Sequence, residues 1–137
     1  MSRRSRAREV ALQVLYQDDL NPSQRVVRTD RFVRTRLRDD GALVEFAQQL
    51  IAGVRRHRDE LDQVLMASAE NWSLPRMAVT DRNALRLGAY EILMTDIPDR
   101  VAINEAVNLA RRFGTDQSAL FVNGILDRIL NSNTLRP

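Results

Sequence analysis

Cysteine and lysine are both absent from these 137 residues, and histidine occurs once. Without cysteine there is neither a disulfide framework nor a thiolate metal site. Without lysine or cysteine two of the common covalent nucleophiles are missing. The lone histidine, His57, is flanked by arginines and reads as a surface residue, so a histidine-based zinc site and a Ser-His-acid triad both lack members. There is no glycine-rich phosphate loop. No apolar run is long enough to span a bilayer. No period-two run marks a strand, and the one Asn-Gly pair, Asn123-Gly124, sits inside a helical pattern. The opening SRRSRAREVALQVLY superficially resembles a leader peptide. Its apolar part is short, is broken by Gln13 and has no small-residue cleavage site, while Glu9, Asp18 and Asp19 argue against a transit peptide. These absences point to a cytoplasmic protein with no metal and no cofactor that is not an enzyme.

What is present is arginine. All 21 basic residues are arginine against 18 acids, a net charge of +3, so the overall excess is small and its placement matters more. Residues 2–8 carry Arg3, Arg4, Arg6 and Arg8 with no acid. The following helix sets Ala7, Val10, Ala11, Val14 and Leu15 at core-facing spacing, with Arg8, Leu12 and Tyr16 along a flanking face, and Asn21-Pro22 ends it. Cations at a helix N-terminus oppose the macrodipole, so an anionic partner explains the cluster better than helix stabilisation does. The plain alternative is a solvated basic tail. A second arginine-rich segment, Arg25 to Arg38, reads mainly as one or two short helices with a solvated face, and Asp39-Asp40-Gly41 as a turn.

The rest of the chain is helical in pattern. Leu43, Phe46, Ala47, Leu50, Ile51 and Val54 share one face, which Leu61, Val64, Leu65 and Ser68 continue beyond a break at residues 55–58. Residues 71–79 form a connection in which Trp72 packs over the core. Thr80 and Asp81 start a helix that Asp96-Ile97-Pro98 stops. Val101, Ala102, Glu105, Ala106, Leu109 and Phe113 then lead to Gly114, which reads as a left-handed helix cap. Thr115, Asp116 and Ser118 offer cap oxygens to a last helix with Leu120, Phe121, Ile125, Leu126, Ile129 and Leu130 on its apolar face. Gly124 inside that helix points to a close approach, by a crossing helix in the simpler reading or by a ligand. The expectation is an all-α fold of six or seven helices. Phe113 and Phe121 flank the glycine corner, where exposed rings could stack on splayed bases, although aromatics at helical spacing are usually core.

The segments RRSRAREVALQVLYQ, LIAGV with LDQVL, NWSLPRMAVTDRNALRLGAYEIL, VAINEA, LARRFG and FVNGILD occur in an order and at spacings that resemble the NusB family of bacterial transcription antitermination factors over nearly the whole chain. The resemblance implies two small helical bundles packed together. It implies a single RNA-binding domain spanning 1–137, led by the arginine-rich segment 2–8. It further implies binding of the boxA element of ribosomal RNA leader transcripts, as single-stranded RNA, together with NusE, a small-subunit ribosomal protein. The pair would act within an RNA polymerase elongation complex. Positions matching the family's RNA surface are Arg3, Arg4, Arg6, Arg8, Phe113, Asp116, Gln117 and Phe121. Those matching its NusE-facing surface are Tyr16 and Asp81, from helices expected side by side. Some members self-associate as homodimers and others stay monomeric.

Two departures stand out. Gln117 replaces an acid of better-known members, which removes a repulsion against phosphate. The 25–38 segment is more basic than the family pattern. Four arginines on four phosphates would give a log–log salt slope of about −3, at roughly −0.7 per phosphate. The alternatives are a stand-alone RNA-binding module in ribosomal RNA processing or modification, and a protein-only adaptor.

Overall fold

The computed structural model describes residues 2–24, 29–70 and 73–132, and these contain seven α-helices and no strand. The helices are α1 (Arg3–Leu20), α2 (Thr29–Arg36), α3 (Gly41–Arg56), α4 (Arg58–Ser68), α5 (Val79–Met94), α6 (Asp99–Phe113) and α7 (Asp116–Asn131). The chain divides into two compact units, residues 1–55 and 56–137. The all-α class is therefore as expected. Arg25, Arg28 and Trp72, singled out in the sequence, lie outside the described residues.

In the first unit, Ser2 caps α1 by accepting from the Ser5 amide at 3.1 Å. The expected stripe Ala7, Val10, Ala11, Val14 and Leu15 is buried. The α2 helix is short because its apolar content is thin; Val33 is its buried residue. Two consecutive left-handed residues, Arg38 and Asp39, turn the chain, and Asp40 caps α3 through the Leu43 amide at 3.3 Å. A fork of two hydrogen bonds joins the ends of α1 and α3: Arg55 donates to Asp18 at 2.7 and 2.8 Å and to Thr29 Oγ1 at 3.1 Å.

In the second unit, α5, α6 and α7 pack on one another, and α4 packs against α5 and α7. Buried Arg86 of α5 grips Asp62 of α4 with a second fork, at 2.8 and 3.0 Å. Gly88 marks the tightest crossing: a Cβ there would lie 2.6 Å from Leu126 Cδ1 and 3.0 Å from Ala106 Cβ.

Three expectations about the α6–α7 hairpin change. Gly114 does end α6, but at φ −117°, so it is not a left-handed cap. Its missing side chain is needed for space, since a Cβ would meet Ala110 O and Ser118 Oγ at 2.7 Å each. Gly124 is not at a tight crossing; its Cβ position is open, with nothing within 4 Å. Leu120 leaves the apolar face and is 77 % exposed. The buried face of α7 runs instead through Ala119, Val122, Ile125, Leu126 and Ile129.

Candidate nucleic-acid interface

The first candidate surface is the opening turn of α1, in the first unit. A helical spacing of four residues puts Arg4 and Arg8 on the same side, and both guanidinium groups stack on the Phe46 ring of α3, at 4.5 and 5.1 Å. The two differ in access. Arg4 is exposed, whereas Arg8 is 2 % exposed and is part of the packing beneath it. Arg8 is therefore not presented to solvent, against the expectation that all four arginines form one surface. Arg3 is paired with Asp40, and Arg6 reaches Glu9 at 3.4 Å. The Arg3 guanidinium, with the Leu43 amide adding to it, holds the Asp40 carboxyl below its ordinary pKa of 3.8. Arg3, Arg4 and Arg6 thus crowd positive charge at the end of a helix whose own dipole is positive there. Binding an anion relieves that crowding.

The arginines of α2 and its C-terminal turn are also exposed, as expected of a solvated face. Arg34 pairs with Asp30 at 3.0 Å, and Arg36 lies over Phe32 at 5.1 Å. Tyr16, on α1, is 37 % exposed.

The second candidate surface is the α6–α7 corner, in the second unit. Phe113 is 40 % exposed, with the Arg112 guanidinium 5.7 Å from its ring centre. Thr115 and Ser118 form a reciprocal capping box at 3.1 Å in each direction, which fixes the start of α7. Asp116 and Gln117 are exposed beside it, and Phe121 is half-buried one turn on. Ser118 also donates to Asp81 Oδ2 of α5 at 3.1 Å, while Asp81 Oδ1 is buried with no hydrogen-bond partner among the described residues. The Asp81 carboxylate therefore turns toward the corner as well as belonging to the first turn of α5.

Sequence reasoning missed Phe46, the platform under Arg4 and Arg8, because an aromatic in an apolar stripe reads as core. It missed Asp40 as a partner of Arg3 and Ser118 as a partner of Asp81. Ser118 reads as a cap residue in the sequence and Asp40 as part of a turn, and in each case the missed partner is 37 residues away. His57 lies at the α3–α4 break and faces Glu60 at 3.2 Å. Among the described residues no cluster of acids and histidine could hold a metal ion, and no helix is long and apolar enough to cross a membrane.

An all-helical protein with arginines massed at one helix start and an exposed ring, Phe113, at a helix corner is of the nucleic-acid-binding kind. The NusB family model matches residues 5–131. The transcription antitermination protein NusB of Anaeromyxobacter dehalogenans strain 2CP-1 is 43 % identical over 128 residues, covering 93 % of this chain and 90 % of that one. Its namesake from Myxococcus xanthus strain DK1622 is 43 % identical over 134 residues, covering 94 % and 95 %. Among solved structures, T. maritima NusB superimposes with a TM-score of 0.82 at 37 % identity, covering 96 % of this chain and 92 % of that one. A crystal structure of antitermination factors NusB and NusE in complex with double-stranded RNA matches with a TM-score of 0.84 at 28 % identity, covering 95 % and 97 %. The chain belongs to the NusB family.

Proposed function

We propose that this protein is a transcription antitermination factor that binds boxA-type single-stranded RNA of ribosomal RNA leader transcripts together with NusE. Membership of the NusB family supports the antitermination role, and the similar NusB–NusE–RNA assembly supports the two partners. The observation that carries RNA binding is the exposed trio Arg3, Arg4 and Arg6 at the start of α1, more cations than the two carboxylates, Asp40 and Glu9, that pair with them, at a helix end that itself favours anions. The protein acts by binding, not by catalysis, and needs no cofactor. The whole chain serves as one RNA-binding domain in the cytoplasm, within an RNA polymerase elongation complex. A homodimer would bury these surfaces.

In this reading the arginines supply affinity through counterion release, and Phe113, Asp116, Gln117 and Phe121 supply base contacts. Arg8 contributes from below, by holding the Phe46 ring on which Arg4 lies. NusE meets Tyr16 and the first turn of α5 around Asp81. NusE and RNA tighten each other's binding equally, because coupling is reciprocal.

The double-stranded RNA in the similar structure favours a second reading, recognition of RNA by duplex shape. One experiment separates the two. Labelled boxA-type RNA, a scrambled strand and a duplex are titrated with and without NusE across a salt series. Preference for boxA that sharpens with NusE and weakens with salt is the expected result. Equal binding of both strands with preference for the duplex favours the shape reader. No binding to any RNA overturns both readings and leaves a protein adaptor.

A further inference from the structure

The outer side of α7 carries a gap. Leu120, Phe121, Gly124, Ile125 and Arg128 follow one another along a single helical stripe, and Gly124 breaks it where a side chain would otherwise stand. The gap opens into a groove of about 180 Å³ that Ala69 and Glu70, at the end of α4, also line. Glycine in mid-helix is unfavourable, and here no neighbouring atom requires it, because its Cβ position is empty space. Glu70 is also out of place as a plain helix end. It is left-handed, at φ 54°, in the position after the helix where glycine is usual. Arg128 is exposed, and one of its guanidinium nitrogens is anchored on the Ser68 carbonyl at 2.8 Å.

We propose that this groove receives one unpaired RNA base, stacked on Phe121 over Gly124, with its exocyclic amine donating to Glu70 and its phosphate held by Arg128. The proposal rests on the RNA-binding reading and names a base site within it. Size decides against larger occupants: pockets for drug-sized ligands hold roughly 300–1,000 Å³. A docking helix needs apolar anchors over several turns, whereas this groove holds about 180 Å³ and counts an acid, Glu70, and a cation, Arg128, among its lining residues. A nucleotide supplies a partner for each, the base an amine donor for the acid and the phosphate an anion for the cation. The groove is also continuous with the corner already assigned to RNA, since Phe121 belongs to both.

The test uses the full chain and a boxA-type RNA carrying a single abasic position, moved along the strand. Wild-type protein should lose about tenfold in affinity at one position and little elsewhere, the loss of one base stack. Gly124→Leu fills the groove. It should fold with a melting temperature at or above wild type and bind intact RNA about tenfold more weakly, with the salt slope shallower by about 0.7 for the phosphate that Arg128 loses. It should also no longer distinguish the sensitive abasic position. Glu70→Gln, an exposed change, should relax preference at that same position and serves if the leucine variant fails to fold. Unchanged affinity in both variants, or abasic penalties identical to wild type, overturns the base site while leaving RNA binding intact. Normal RNA binding with loss of NusE pairing overturns it in favour of a protein occupant. Absence of RNA binding by the wild type overturns the wider functional reading and the base site with it.

Discussion

Ser118 of α7 donates its hydroxyl hydrogen to Asp81 of α5 at 3.1 Å, and the same hydroxyl oxygen accepts the Thr115 amide at 3.1 Å. One side chain thus closes the capping box and ties the corner to the first turn of α5. Thr115→Ala removes the cap alone and should cost about 1 kcal/mol. Ser118→Ala removes the reciprocal cap and takes the Ser118 donor from Asp81 Oδ2, so it should cost about 2 kcal/mol. Urea unfolding of the two variants checks the order. Equal losses would mean that the Ser118–Asp81 bond contributes nothing.

The fork between Arg55 and Asp18 is worth more. Asp18 is 4 % exposed, and removing its partner leaves a buried carboxylate without its counter-charge. Arg55→Met should cost about 3–5 kcal/mol. The double variant Asp18→Leu with Arg55→Met should recover most of that, because no charge is then buried unpaired. Denaturant midpoints of the three variants form the cycle; a double variant as unstable as the single one would contradict this account.

Three glycines should respond in opposite directions to alanine. Gly124→Ala gains about 1 kcal/mol of helix propensity, since its side chain meets open space. Gly88→Ala and Gly114→Ala should each lose about 1–3 kcal/mol to overpacking. At Gly114 the contact is a backbone oxygen 2.7 Å away, which cannot move aside without bending α6. Thermal melts rank the three, and a destabilising Gly124→Ala would show that its surroundings are less open than described.

These glycines also show what a sequence can and cannot carry. Asn21-Pro22, Asp39-Asp40-Gly41 and the arginine run at residues 55–58 mark helix ends through local chemistry, and the helices end or break there. The seven-helix fold and the buried stripes of α1 and α3 were legible for the same reason. Which neighbour meets a given face is a long-range fact. Periodicity placed Gly124 at a close approach, yet the Leu126 contact is at Gly88. It placed Leu120 with the core because the apolar stripe looked broad, although α7 buries the narrower stripe through Ala119 and Val122. It grouped Arg8 with three solvent-facing arginines because nothing local reveals that Phe46 lies over that position. Tyr16 and Asp81 were singled out through family resemblance, and the inward turn of Asp81 toward Ser118 was beyond it.

The Asp40–Arg3 pair gives a pH-dependent handle. Arg3, then the Leu43 amide, lowers the Asp40 pKa in the folded state below 3.8. A lowered carboxylate pKa contributes stability above the unfolded value, and that contribution fades as pH falls through the folded value, so it is lost only in the window below about pH 4. Carbon-13 NMR of the Asp40 carboxyl should show the depressed midpoint, and Arg3→Ala should raise it. Asp40→Asn keeps the α3 cap, because asparagine caps as well as aspartate, and removes the charge that holds Arg3. It should tighten boxA-type RNA binding severalfold at low salt and leave the helix content unchanged. Unaltered RNA affinity would mean that Arg3 does not reach phosphate.

The strongest separation lies within the arginine cluster itself. Arg3, Arg4 and Arg6 are exposed, so each replacement by alanine should weaken RNA binding and make the log–log salt slope shallower by about 0.7. The wild-type slope from these three should be about −2, not the −3 that four equivalent arginines would give. Arg8→Ala should behave differently, because its guanidinium is buried against Phe46 and its stem packs there. It should cost roughly 1–3 kcal/mol of stability, as lost packing does, with the salt slope little changed. Filter binding between 50 and 300 mM salt, run beside urea unfolding, reads both quantities for the same four variants. A slope change at Arg8 equal to that at Arg4, with stability untouched, would mean that Arg8 swings out to meet RNA.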